Sequence, residues 1–315
     1  MSFSSAAKNE ICHLELERDC CLLAELSALL HMTGSIGIKK AGLVFLKIDT
    51  ENPAVARRVF LLLKKRYRIH AQMEMRENHL KKNHMYTLKT LPGPETEKVL
   101  VDTGLMKKGH LQVHYEIQRK TMAKRCCRIA FLRGAFLGGG SITNPERMYH
   151  LEFVSTKEEF AQDLLNILNG FDLNAKMIMR KKSFVVYLKE GDNVIKLLTL
   201  IGAYGSILNL ENIRIIKEMR NNVNRVVNCE TANLSKTVNA AMRQVKNIHY
   251  IQTYLGLNNL TPSLREVAEL RLNYPEASFS ELSQLLSNKV GKSGINHRLR
   301  KLDQIADDLR KTKGE

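Results

Sequence analysis

The chain has 315 residues, enough for about two domains, and its 44% hydrophobic content can fill a sizeable core. Charged residues make up an ordinary 26%, which excludes wholesale disorder; Lys and Arg number 49 against 32 Asp and Glu, a formal net charge of +17. That excess points to a polyanionic partner, nucleic acid or an acidic membrane surface.

No apolar run reaches the roughly 18 residues of a membrane span. The opening MSFSSAAKNEICHLELE lacks the basic-then-apolar order of a signal peptide, so a cytosolic chain is expected. The first predicted helix, CCLLAELSALLHMTGSI (Cys20 to Ile36), is apolar, rich in small residues, and passes through Gly into a β-prone stretch. LVFLKIDT (Leu43 to Thr50) reads as a strand and 52–65 as a helix. HAQMEMR (His70 to Arg76) and HMYTLK (His84 to Lys89) form a hairpin. Pro92-Gly93-Pro94 then opens a helix over 95–103.

The same order recurs. CCRIAFLRGAFLGGGSI (Cys126 to Ile142) sets its cysteine pair 106 positions after the first, and Leu26 with Leu132 and Gly34-Ser35-Ile36 with Gly140-Ser141-Ile142 keep that offset. YHLEFVST (Tyr149 to Thr156), a helix over 157–168, NAKMIMR (Asn174 to Arg180), FVVYLK (Phe184 to Lys189) and a helix over 192–201 follow. Two such blocks imply an α+β unit with a pseudo-twofold axis, its first helices paired. Ala24, Ser27 and Ala28 in one, and Gly134, Ala135 and Gly138 in the other, allow close approach. The cysteines show no C-x-x-C and no Cys/His spacing suited to zinc; they read as small buried hydrophobes kept reduced, and no metal or cofactor is expected.

Positive charge recurs at matching places. Residues 57–89 hold ten Lys or Arg against Glu74 and Glu77, and 176–189 hold five and no acid. Alternation puts Gln72, Glu74 and Arg76 on one face and Met73 and Met75 on the other; Lys176, Ile178 and Arg180 oppose Met177 and Met179. The methionines are expected in the core. Arg76, Lys176 and Arg180 are candidate phosphate contacts.

LRGAFLGGGSI (Leu132 to Ile142) resembles the signature helix of the LAGLIDADG homing endonucleases, and LSALLHMTGSI (Leu26 to Ile36) resembles a weaker copy. The αββαββα order of each block is also that family's. The resemblance implies a DNA-saddle fold. In those enzymes an acid just before the last Gly of each motif binds the divalent metal that cuts DNA. Here Thr33 and Gly139 stand there, and neither can hold a hard cation that needs carboxylate oxygens. No catalytic residue is therefore expected. Asp49, Asp102 and Glu152 are nearby acids, none at a motif end, and His31 and His150 lack a catalytic partner pattern. Gly138-Gly139-Gly140 ends a helix instead of opening one, unlike a phosphate loop.

From about Gly205 the pattern is all-helical, with Leu210, Ile213, Ile216 and Val223 at helical spacing. The polar run Asn224 to Lys236 is either a helix break capped by side chains or a contact with phosphates or the other domain. A helix through Leu234, Val238, Ala241, Met242, Val245 and Ile248 follows. Thr261-Pro262 opens another, which ends before Pro275. Ser278 and Glu281 form a capping box for SELSQLL. After the turn SNKVGKS comes GINHRLRKLDQIADDL, whose Ile295, Leu299 and Leu302 should pack on Leu282, Leu285 and Leu286. This is a helix-turn-helix that resembles sigma-factor region 4. No acid occurs between Gln284 and Leu302. Asn296, His297 and Arg300 are the candidate base contacts; Lys289, Lys292, Ser293, Arg298 and Lys301 are candidate phosphate contacts.

The order of parts resembles the WhiA family of bacterial sporulation and cell-division regulators over nearly the whole chain. The expected architecture is α+β: two LAGLIDADG-like αββαββα repeats (about 20–104 and 126–203) in a pseudo-twofold unit over 1–204, a helical linker over 205–232, and an all-α helix-turn-helix domain over 233–315. The resemblance implies a DNA-binding transcription regulator linked to cell division, chromosome segregation or sporulation, without nuclease activity. Double-stranded DNA is the implied partner, transcription machinery or another regulator a further partner class, and no membrane is involved. The competing readings are a nuclease or RNA maturase, and a protein-binding adaptor tethered to DNA by its tail.

Overall fold

The computed structural model describes residues 2–16, 18–39, 42–78, 83–108, 112–288 and 290–313. It divides into two compact units, 1–217 and 218–315. Among the described residues no helix is long and apolar enough to cross a membrane.

The first unit opens with α1 (Phe3–Cys12), a helix that sequence reading did not single out, started by the Ser2 side chain accepting from the Ser5 N–H at 3.1 Å. Then come two αββαββα repeats. The first comprises α2 (Asp19–Thr33), β1 (Gly34–Ile38), β2 (Val44–Thr50), α3 (Pro53–Tyr67), β3 (Gln72–Asn78), β4 (Asn83–Lys89) and α4 (Pro94–Asp102). The second comprises α5 (Arg125–Gly139), β5 (Gly140–Ile142), β6 (Leu151–Ser155), α6 (Glu158–Asn169), β7 (Lys176–Arg180), β8 (Ser183–Leu188) and α7 (Gly191–Ile201). Each repeat builds one antiparallel sheet, in the orders β1-β2-β4-β3 and β5-β6-β8-β7.

The two first helices, α2 and α5, pack together at the centre of one continuous core. Small residues set their separation: a Cβ on Gly134 would run into the Glu25 carbonyl oxygen and touch Ala28 Cβ. Glu25 is buried in that interface. Arg58 Nε of α3 meets its Oε1 at 2.7 Å, and Arg133 Nη1 of α5 lies 3.6 Å from its Oε2. Arg58 also donates to the Leu14 carbonyl, and Arg133 Nε to the Ile201 carbonyl at 3.1 Å.

Several expectations are corrected. Met73, Met75 and Met179 are exposed, Met75 by 59% and Met179 by 69%; only Met177 packs on the core. The reason is sheet position: β3 and β7 are edge strands, so the helices cover only part of their inner face. The cysteines are not uniformly buried. Cys21 and Cys127 are, Cys12, Cys20 and Cys126 are half-buried, and Cys229 is exposed.

α8 (Tyr204–Tyr254) runs unbroken through the polar run at 224–236, which overturns the helix-break reading. Residues 206–255 contain neither Pro nor Gly, and the polar groups bond along the helix: Thr237 Oγ1 donates to the Asn233 carbonyl at 2.9 Å. Of its expected apolar stripes, Leu210 and Ile248 are buried, whereas Ile216, Val223, Leu234, Val238 and Met242 are exposed.

In the second unit, α9 (Pro262–Asn273), α10 (Phe279–Leu285) and α11 (Lys292–Lys313) share a separate core with Ile248 and Ile251. Ile295, Leu299, Leu302 and Ala306 form the buried stripe of α11, each large side chain contributing about 1.5–3 kcal/mol. The Ser278–Glu281 capping box is present. Leu285 is corrected: it is 47% exposed, while Leu282 and Leu286 are buried. α10 ends at Leu285, and Leu286 turns extended (φ −75°, ψ 140°), so the side chain after the helix enters the core.

Candidate nucleic-acid interface

The second unit presents the amino-terminal half of α11. Gly291 accepts from the N–H groups of Gly294 and Ile295, at 2.9 and 3.2 Å, and so starts the helix. The turn before it is held from two sides. Ser283 donates its hydroxyl to the Val290 carbonyl, and the Glu266 carboxylate on α9 accepts the Ser287 N–H at 2.7 Å. That bond and the Ser287 hydroxyl, with the charge of Arg298 adding to them, hold the Glu266 carboxyl below its ordinary range. Beneath the α9–α10 loop, buried Arg271 donates to the Pro275 and Ala277 carbonyls at 3.2 and 2.8 Å. Ser283 and Glu266 thus hold the turn between α10 and α11, and Arg271 holds the loop between α9 and α10.

On that frame Lys292, Ser293, His297, Arg300 and Lys301 are exposed, and Asn296 and Arg298 half-buried. Lys289 lies outside the described residues. Asn296 and Arg300 are one turn apart, about 6 Å along the axis, so both face one groove-sized surface. Further along the helix the sign changes: Asp303 accepts from Asn247 at 2.7 Å and pairs with Arg243 at 3.3 Å.

In the first unit the open sheet faces carry the other candidates. On the first sheet, Asp49, Thr87 and Glu74 form one cross-strand row, and Lys47, Lys89 and Gln72 the next. Arg76 lies 3.3 Å from Glu74, Lys89 3.0 Å from Glu74, and Lys47 2.6 Å from Asp49. Burial pushes the Asp49 carboxyl up, but hydrogen bonds from Lys47 and Thr87 outweigh it and hold the group below its ordinary range. On the second sheet, Arg180 lies 3.7 Å from Glu152, which also meets His150 at 3.2 Å, while Lys176 stands opposite Tyr187. Sequence reading did not pair Arg76 or Arg180 with an acid. A period-2 alternation was the available signal for Glu74; nothing local signalled Glu152.

Thr33 ends α2, and its hydroxyl donates to the Leu29 carbonyl at 2.8 Å. A Cβ on Gly139 would collide with Met32 Cε. The nearby acids are engaged elsewhere: Asp49 as above, Asp102 with the Tyr67 hydroxyl at 3.1 Å, and Glu152 with His150 and Arg180. His31 is buried and stacked on Phe160 at 5.4 Å, and burial lowers its pKa.

Comparison with known proteins matches all three parts. The WhiA N-terminal LAGLIDADG-like domain matches residues 19–106, the WhiA LAGLIDADG-like domain 128–220, and the WhiA C-terminal HTH domain 223–306. Two similar relatives are the probable cell division proteins WhiA of Alkaliphilus metalliredigens (strain QYMF), 52% identical over 98% of both chains, and of Clostridium beijerinckii, 51% identical over 99% of this chain and 100% of the relative. The crystal structure of full-length DUF199/WhiA from Thermatoga maritima is similar with a TM-score of 0.60 at 25% identity, covering 98% of this chain and 99% of that one. The paired αββαββα repeats are thus LAGLIDADG-like, and a helix-turn-helix region follows them.

Proposed function

The chain belongs to the WhiA family, and on that premise we propose that it is a transcription regulator that binds double-stranded DNA and serves cell division, with chromosome segregation or sporulation as the related duties. The observation that carries this reading is the acid-free, basic first half of α11, presented on a buried stripe by a turn pinned to Glu266 and Ser283. Asn296, His297 and Arg300 read base edges; Lys292, Ser293, Arg298 and Lys301, with Lys289 from the turn, hold phosphates. Arg76, Lys176 and Arg180 add phosphate contacts from the LAGLIDADG-like unit. Arg76 and Arg180 must each leave an acid to do so, which makes their share the weaker. The functional parts are 1–204, a linker over 205–232, and the reader over 233–315.

Asn296→Ala or Arg300→Ala is expected to cost roughly 1–3 kcal/mol at the specific site and much less on random DNA. Lys176→Ala with Arg180→Ala weakens both kinds of DNA about equally, because phosphate contacts carry no base information. The measurement is the ratio of specific to random affinity for each variant at one salt concentration. A ratio that collapses in the Lys176/Arg180 variant and survives Arg300→Ala would make the LAGLIDADG-like unit the reader.

The protein acts without cutting DNA. Thr33 and Gly139 offer no carboxylate where metal-binding acids would be needed. Supercoiled plasmid carrying a bound site is expected to stay intact with Mg²⁺ or Mn²⁺. Nicking that co-purifies with the protein and stops with EDTA would restore the nuclease reading.

A further inference from the structure

The two paired helices begin with the same two residues at the same two positions. Cys20 and Cys21 are the second and third residues of α2, and Cys126 and Cys127 the second and third of α5. Packing α2 against α5 gathers the four thiols. All four sulfurs lie within 4.8 Å of one another, with Cys20 Sγ 4.0 Å from Cys21 Sγ. Among the described residues this is the one such gathering of three or more Cys, His, Asp or Glu, and none of the four is in a disulfide.

The spacing suits one small ion. A tetrahedral centre with metal–sulfur bonds of about 2.3 Å sets its sulfurs about 3.8 Å apart, so the thiols need to contract by at most about 1 Å. A cluster of several irons needs its thiolates spread round a larger body. The donor set is all sulfur, which excludes hard cations such as Mg²⁺ and Ca²⁺. Both helices place the positive end of their dipoles at their first turns, which favours thiolates there. In sequence the pairs are flanked by Arg18, Lys124 and Arg125, and Asp19, the acid among them, is paired with Arg66.

We propose that Cys20, Cys21, Cys126 and Cys127 bind a single zinc-class divalent cation in a tetrahedral four-sulfur site that ties the two repeats together. Two ligands come from each repeat, so neither repeat contains the site alone. Four protein sulfurs leave no open coordination position, and the ion is structural. It clasps the end of the α2–α5 interface opposite Thr33 and Gly139. The linear sequence conceals the site, because its two halves stand 106 positions apart and neither has the usual ligand spacing.

The test is an anaerobic titration of the full-length, reduced, metal-free protein with Co²⁺. The expected result is one Co²⁺ per chain, with the visible bands of tetrahedral cobalt and a sulfur-to-metal charge-transfer band, both abolished by one equivalent of Zn²⁺. Cys21→Ser with Cys127→Ser removes the bands, and Cys229→Ser keeps them. Zn²⁺ at a hundredfold excess over its Kd raises the wild-type Tm by about 5–10 °C, a readout that does not depend on the variants folding. Weak octahedral bands, bands that survive the double substitution, or a reduced wild-type protein whose Tm ignores Zn²⁺ would each overturn the assignment.

Discussion

Raising salt from about 50 to about 200 mM is expected to weaken DNA binding on the order of a thousandfold. Each phosphate neutralised by a Lys or Arg releases condensed counterions, and the log–log slope falls by about 0.9 per contact. Roughly six contacts give a slope near −5 and a loss of about three decades over that fourfold range. The α11 cations proposed for phosphates, above all Lys292 and Lys301, are expected to carry most of it, because no acid lies between them in sequence. Arg76 and Arg180 contribute less, since Glu74 and Glu152 already stand within 3.3 and 3.7 Å. Lys292→Ala with Lys301→Ala is expected to make the slope shallower by about 2. Fluorescence anisotropy on labelled duplex at five or six salt concentrations gives the slope directly. A wild-type slope near zero would mean that the net charge of +17 is not used on nucleic acid.

Removing Glu25 is the substitution expected to cost the fold most. Its carboxylate lies between Arg58 and Arg133 in the α2–α5 interface, and all three side chains are buried. Glu25→Ala removes the buried carboxylate that Arg58 and Arg133 share, at a cost of about 3–5 kcal/mol. For a unit of this size that lowers Tm by roughly 6–20 °C. Replacing all three with apolar residues avoids stranded charge, but it releases the Leu14 and Ile201 carbonyls that the arginines hold. Each unpaired buried carbonyl costs about 1–3 kcal/mol, so the triple variant should also be destabilised. Thermal melting followed by circular dichroism decides the matter: a Glu25→Ala Tm within a degree of wild type would show that the triad contributes nothing.

Much of the fold was legible because its signals are local or periodic. The repeat announced itself through the cysteine pairs and the Gly-Ser-Ile ends at one offset, and the strands and helices fell within a residue or two of their observed limits. In the helix-turn-helix, the Ser278–Glu281 box and the Ile295, Leu299 and Leu302 spacing each follow from one turn of helix geometry. The single acid in CCLLAELSALL and the single base in AFLRGAF were also visible as charges in apolar helices, though their pairing was not.

By itself the sequence determined the two αββαββα blocks, the buried stripe of α11, the unbroken run of positive charge at its start, and the lack of metal-binding acids at Thr33 and Gly139. These depend on spacing within a few residues, or on identity at one position, and so are written in the linear order. The tertiary structure decided the rest. Strand order placed β3 and β7 at sheet edges and left Met75 and Met179 in solvent. The extended turn after α10 chose Leu286 over Leu285 for the core. Sheet register set Glu152 of β6 beside Arg180 of β7, an acid that nothing local signalled. Close packing of α2 on α5 joined Glu25 to Arg133 and brought four cysteines from two distant pairs together. The Glu25–Arg133 pair and the four cysteines couple residues far apart in the chain, and only the burial of both repeats in one core brings them within reach.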